Sequence, residues 1–348
     1  MIESLRTYSQ QLAEPVFDDA HALVSHMGAV QAQDMTNSKW ALGVRLRQPS
    51  LRAVQEAVDS GRIVRTHIMR PTWHYVAAED IRWMLDLTGK RVRAAFLHWF
   101  KRAWIDDKIL SRFYDSAGKL LSGTDGLTIL ELTDGLHQAG LDWNADQVKY
   151  MLCFGEADGI VCNGRERNRK HTYALLDERV PVNGSVTREE ALSLLARKYF
   201  SSHSPASLED FAWWSGLTVT ESRKAVQSIE RELTANRYEG EKLYVHESCI
   251  REAAPEGEVH LLPPYDEYLI SYKDRTHVLD PAHSHKAHNN SGIFHPIVFQ
   301  NGRIVGNWTK KVKKGGVEIE AVPFDHKIKI NTRKFGTAAD RYRTFLKE

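Results

Sequence analysis

Three times along this 348-residue chain, two helix-patterned stretches are followed by a pair of short β-patterned runs, and that order limits the architectures open to it. In the first instance Leu23, Val24, Met27 and Val30 recur at helical intervals behind Asp18 and Asp19 as caps. A second helix is expected from Ser50 to Ser60, with Leu51, Val54, Ala57 and Val58 on one face and Gly61 past its end. IVRTHIM and WHYVA then flank Arg70-Pro71-Thr72 as a hairpin. The second instance runs through GLTILELTDGLHQAG, ended by Gly140, and NADQVKYMLCFGEADG, opened by an Asn144/Gln147 capping box. Its ribbon is IVC and HTYALL around the basic loop NGRERNRK. The third opens at Thr187 with Glu190 behind it, continues through SLEDFAWWSGL and TVTESRKAVQSIERE, and closes with a ribbon from Leu233 to Val245. Helix, helix, β-ribbon is the winged-helix order.

From about Val259 the patterning turns to β: HLLPPYDEYLISY, GIFHPIVF, RIVGNW and GGVEIEAVPF, with Asn301-Gly302 as a type I′ hairpin signal. These runs predict a small β-barrel or curled sheet, closed by a helix from Thr337 through Phe345. The fold expected is α+β: three tandem winged-helix modules at 1–105, 106–182 and 183–255, then a C-terminal β-barrel at 256–348.

Several function classes have no support. No run of about 18 apolar residues and no signal pattern occurs, so a cytoplasmic protein without membrane association is expected. Cys153, Cys162 and Cys249 are odd in number and widely spaced, which argues against a disulfide framework or a CxxC zinc site. His283, His285 and His288 invite a metal, yet no Cys or Glu stands near them, and no metal site is expected. No P-loop, GxGxxG, HExxH or GxSxG is present, so neither a nucleotide cofactor nor any other cofactor is expected. The net charge of +2 is mild, but it is unevenly spread: RERNRK at 165–170 and KKVKK at 310–314 are concentrated cations.

GAVQAQD at 28–34 is the feature that composition does not explain. It places Gln31 and Gln33 one residue apart, followed by Asp34, where a helix should end. Amides neither take up protons at neutral pH nor bind metals readily, but each can accept and donate hydrogen bonds at once. By itself the motif reads as a structural helix ending.

Several stretches together resemble the winged-helix DNA glycosylase family that includes AlkZ and YcaQ. They are QAQD at 31–34 with Trp40 and Arg45 after it, THIMRPTWHYVAAEDIRWML at 66–85 and YMLCFGEADGIVCNG at 150–164. Further along come YFSSHSPASLEDFAWWSGL at 199–217, LLPPYDEYLISYKDR at 261–275 and NGRIVGNW at 301–308. The resemblance covers nearly the whole chain in order. It implies three tandem winged helices and a β-barrel forming a DNA-binding body, with the Gln-x-Gln form of the family's catalytic signature at Gln31 and Gln33.

That implication makes chemical sense of the amides. An N7-alkylated purine already carries positive charge, so its glycosidic bond breaks without a strong general acid. What is needed is a water held against the anomeric carbon and support for an oxocarbenium-like state. Asp34 is the nearest carboxylate in sequence and a candidate for catalytic support. Candidate DNA contacts are Arg45, His67, Arg70, Thr72 and His74, plus Arg165, Arg167, Arg169 and Lys170 on the second wing. Each has a bland alternative: Arg70 pairing with Asp80, Trp73 and Tyr75 in the core, the wing cations merely solvated, the lysines of 310–314 protecting a sheet edge. Double-stranded damaged DNA is the expected partner and a monomer the expected state. A regulator is disfavoured because LRAVQEAVDSGR and NADQVKYMLCFGEADG lack the basic character of a base-reading helix. An interaction scaffold leaves the paired amides unexplained.

Overall fold

The computed structural model describes residues 1–99, 105–182, 184–238, 240–250, 257–314 and 316–347. The expected module boundaries at 183 and 255–256, and Gly315 of the lysine-rich segment, lie outside them. The described residues form a mixed α/β structure of capped helices and short antiparallel strands, divided into two compact units. One unit joins residues 1–55 to 192–348, and the other spans 56–191.

Within the 56–191 unit, Ile63–Ile68 pairs antiparallel with Thr72–Ala77, with Ile68 opposite Thr72. The turn is tight: Met69 takes φ +60°, and the amides of Arg70 and Thr72 donate to Ile68 O and Arg70 O, each at 2.7 Å. The strand Ile63–Ile68 is buried along its whole length, so alternation does not sort its side chains into inside and outside. The helices Ile81–Trp99, Asp107–Leu121, Ile129–Gln138 and Ala145–Ala157 follow. Both Asn144 and Thr128 cap their helices with full capping boxes, the first as expected and the second an addition. Phe96, Phe113, Leu132, Met151 and Phe154 fill the core between these helices. Val161–Asn163 and Tyr173–Leu175 form the second ribbon around the basic loop.

In the other unit, the helices Leu208–Ser215 and Val219–Ser228 are each opened by a capping box, and Leu233–Tyr238 pairs with Glu241–His246. The C-terminal strands Val259–Leu262, Ile297–Gln300, Arg303–Lys313 and Gly316–Pro323 make an antiparallel meander. Among the described residues this sheet stays open, with the first and last strands as edges, so no closed barrel forms. Asn301 and Gly302 both have positive φ, as the I′ turn requires. Beyond Asn307 the long strand keeps only its later partner, leaving a two-stranded arm. There Lys311 faces Glu320 at 3.1 Å and Lys313 faces Glu318 at 2.5 Å, so these lysines carry cross-strand ion pairs.

Three aromatic anchors hold this unit together. Trp40 lies 5.0 Å from both Tyr342 and Phe345 of the helix Thr332–Lys347, and Trp308 lies 5.1 Å from Tyr342. The indoles of Trp40 and Trp308 donate to Leu261 O and Leu262 O at 2.5 and 2.7 Å. Gly43 permits the close approach: a Cβ there would come within 2.5 Å of the Phe345 ring.

Candidate functional site

The amides of GAVQAQD do not end a helix; its glycine does. The helix Ala20–Met27, capped by Asp19, stops at Gly28 with φ +77°. The chain then runs extended through Ala29–Gln31, and Asp34 begins the next helix, Met35–Gly43, as its N-cap. Gln31 thus closes a short extended run, and Gln33 lies at a bend one residue before the cap of the next helix. Gln31 is 2% exposed and Ala32 fully buried, while Gln33 is half-buried.

Asp34 is spoken for. Its carboxylate accepts from Thr36 N at 3.1 Å, Asn37 N at 3.0 Å and Asn37 Nδ2 at 2.7 Å. These bonds satisfy helix donors that would otherwise be orphaned. The carboxylate nearest Gln31 in space comes from far away in sequence. Glu267, fully buried, accepts from the backbone N–H of Gln31 through Oε1 at 2.5 Å. Its Oε2 accepts from Ser271 Oγ and from Trp214 Nε1 at 3.3 Å, and lies 3.5 Å from His203 Nε2. Burial lowers the His203 pKa, against the opposing pull of Glu267. Sequence reasoning missed Glu267; the only signal was an Asp-Glu pair inside the apolar run LLPPYDEYLISY.

Arg45 corrects an expectation. It is fully buried, with its two terminal nitrogens on the Asp266 carboxylate at 2.9 and 2.7 Å and further bonds to Ala41 O and Gln10 Oε1. A guanidinium committed in this way is a core ion pair and cannot meet a phosphate. The adjacent tryptophans also divide: Trp214 is buried core, whereas Trp213 is 42% exposed.

In the 56–191 unit, His67 and His74 are buried and cannot serve as surface contacts as they stand. His67 Nδ1 is 2.5 Å from Glu156 Oε2, its ring packs 4.1 Å from Trp73, and Trp73 Nε1 donates to Glu156 Oε1 at 3.3 Å. His74 Nδ1 bonds Thr72 O at 2.9 Å. Arg70 and Thr72 are half-buried at the turn. On the loop between Val161–Asn163 and Tyr173–Leu175, Arg165, Arg169 and Lys170 are exposed. Arg167 instead pairs with Glu131 and Gly126 O. Asn168 and Arg169 have positive φ, and Arg167 and Lys170 bridge across them, so the loop is a defined turn presenting cations at its tip.

Among the described residues, His283, His285 and His288 do not gather as a metal-ligand set. Two other groups have donors within 4.8 Å of one another: His67, Cys153 and Glu156, and Glu241, Asp274 and His277. In the first, His67 and Glu156 already bond each other, and burial pushes the Cys153 thiol well up. In the second, His277 bonds Glu241 at 3.0 Å and Asp274 accepts from Thr276 N and Oγ1. Hydrogen bonding accounts for both.

The model of the family described as DNA glycosylase AlkZ-like matches residues 24–345. An interstrand DNA cross-link repair glycosylase of Streptomyces sahachiroi is 24% identical over 321 residues, covering 86% of this chain and 84% of that protein. The solved structure of the Streptomyces sahachiroi DNA glycosylase AlkZ is similar with a TM-score of 0.80, at 21% identity over 99% of this chain and 95% of that one. This likeness bears on the fold.

Proposed function

The chain belongs to the AlkZ-like family of DNA glycosylases, and from that premise we propose that it hydrolyses the N-glycosidic bond of cationic N7-alkylated purines, as bulky adducts or interstrand crosslinks. The observation that carries this reading is the pair of amides between a short strand and a capped helix N-terminus, Gln31 buried at the strand's end and Gln33 half-buried at the bend that follows.

The positive purine leaves as a neutral base, taking the electron pair of the C1′–N9 bond. Its departure generates an oxocarbenium-like sugar, which a water held by Gln31 and Gln33 captures at C1′. The water's acidity rises steeply as its oxygen bonds carbon, so its proton passes to solvent without a strong base. Amide oxygens accept from the water and amide N–H groups fix the orientation of those oxygens. Asp34 supports the site by starting the helix, not by taking the proton. Flipping the nucleotide costs a few kcal/mol, less for a damaged base. The exposed wing cations Arg165, Arg169 and Lys170, with Arg70 and Thr72 at the first turn, would meet the backbone of damaged duplex DNA. The modules 1–105, 106–182 and 183–255 are read as winged helices. A soluble monomer working at the nucleoid completes the proposal.

The test is single-turnover base release from a duplex carrying one N7-alkylguanine, with an uncharged lesion as control. Wild type is expected to release only the cationic base, and Gln31→Ala/Gln33→Ala to bind the duplex yet release nothing. Binding without release by wild type, from small and bulky adducts alike, would leave a non-catalytic winged-helix DNA-binding protein.

A further inference from the structure

We propose that Glu267 is the positioning residue for Gln31: its buried carboxylate fixes the peptide N–H of Gln31 and so the placement of the amide that holds the water. This rests on the reading of Gln31 as a water-holding group.

The argument begins with where the carboxylate is. Glu residues are almost never fully buried unless they are paired or fully hydrogen-bonded, and an apolar side chain would serve packing as well. Glu267 is fully buried nonetheless, and its two oxygens have separate duties. Oε1 receives the Gln31 N–H at 2.5 Å. Oε2 is held from the other side by Ser271 Oγ and by Trp214 Nε1 at 3.3 Å, so the carboxylate plane cannot swing. The backbone behind it is anchored too. Glu267 opens the short helix Glu267–Ile270, whose N-cap is Asp266, and Asp266 is the bidentate partner of the buried Arg45. Gln10 Nε2 bonds Glu267 O while Gln10 Oε1 bonds Arg45.

This arrangement also excludes the obvious alternative. With Oε1 on a peptide N–H and no exposed surface, Glu267 is not placed to take a proton from water. It acts through Gln31. The strand bearing Gln31 is only three residues long, Ala29–Gln31, and the carboxylate grips its last residue, next to the side chain it is to place. A displacement of about 1 Å at a reacting water is worth roughly 100-fold in rate.

The experiment uses the full chain with Glu267→Ala, Glu267→Gln and Ser271→Ala. Single-turnover release is measured from a duplex with one N7-alkylguanine, and Kd on the same duplex with an uncleavable tetrahydrofuran abasic analogue. Glu267→Ala is expected to lose about 100-fold in rate with Kd unchanged within about twofold. Glu267→Gln keeps a carbonyl acceptor for the Gln31 N–H and is expected to recover to within about tenfold of wild type. Ser271→Ala, which loosens the carboxylate without removing it, is expected to slow release by about 3–10-fold at unchanged Kd, and it reads the inference should Glu267→Ala not fold. A wild-type rate for Glu267→Ala, no recovery by Glu267→Gln, an unaffected Ser271→Ala, or Kd rising in step with the rate loss would each overturn it. If Gln31→Ala itself releases base at the wild-type rate, the reading of the amides fails first. If Gln31→Ala is slow and Glu267→Ala fast, only the role of Glu267 falls.

Discussion

Asp34→Asn separates the two roles a carboxylate beside Gln33 could have. The wild-type side chain accepts three hydrogen bonds, two from the first turn of Met35–Gly43 and one from Asn37 Nδ2. Asparagine is as good an N-cap as aspartate, so the two backbone donors keep an acceptor. The third bond is lost, because two amide NH₂ groups would face each other. Asn37 cannot turn its oxygen round without giving up Lys310 Nζ, which donates to Asn37 Oδ1 at 2.8 Å. That loss, with the charge–dipole term, comes to about 1–2 kcal/mol. In a chain of this size a thermal melt should register a fall in Tm of roughly 1–3 °C. Single-turnover release should stay within about threefold of wild type, under 1 kcal/mol of barrier. A general base would behave in the opposite way, with a rate loss of about 10²–10⁴-fold and an unchanged melt. That second pattern would refute the assignment of Asp34 to the cap and make it the proton acceptor.

Burial lowers the His26 pKa to about 4, with His203, Lys198 and His246 adding repulsion. Because the unfolded imidazole binds its proton more readily, stability is complete above pH 6.5 and falls as pH drops toward 4; at pH 5 the loss from this group is about 2 kcal/mol. Urea midpoints at pH 7 and pH 5 should show it, and His26→Gln should remove it; an equal pH effect in the variant would contradict this account. Arg165, Arg169 and Lys170 changed singly to Ala should each lower the salt slope of DNA binding by about 0.9 if they contact a phosphate. Arg167→Ala should leave that slope nearly alone, since the ion pair with Glu131 already occupies it; equal losses at all four would mean that the pair opens on DNA. Arg45→Met strands the buried Asp266 carboxylate and should destabilise by about 3–5 kcal/mol by denaturant titration, with no change in salt slope. A lowered slope at wild-type stability would restore Arg45 as a phosphate contact.

What was legible in the sequence was local. The Asn144/Gln147 box, the Ile68–Thr72 turn and the Asn301-Gly302 hairpin each depend on residues within a few positions, and each forms. The amides were legible only by resemblance, and their setting was misread. The helix-periodic run ending at Val30 hid a break at Gly28, although an Asp one residue before Met35 is itself an N-cap signal. Arg45 and His67 were misplaced for a different reason. Their partners, Asp266 and Glu156, lie 221 and 89 residues away, and no periodicity carries that information. Nor would strand alternation place His67 at the surface, because its strand is buried along its whole length.

The unit that contains Gln31 joins residues 1–55 to 192–348, with 56–191 between them. The bond from Gln31 to Glu267 spans 236 residues. At ribosomal speeds of about 5–20 residues per second, Gln31 waits roughly 10–50 s for its partner, while the intervening unit is complete well before. Until residue 267 has been made, Gln31 therefore lacks the carboxylate that receives its N–H, however far the residues between them have folded.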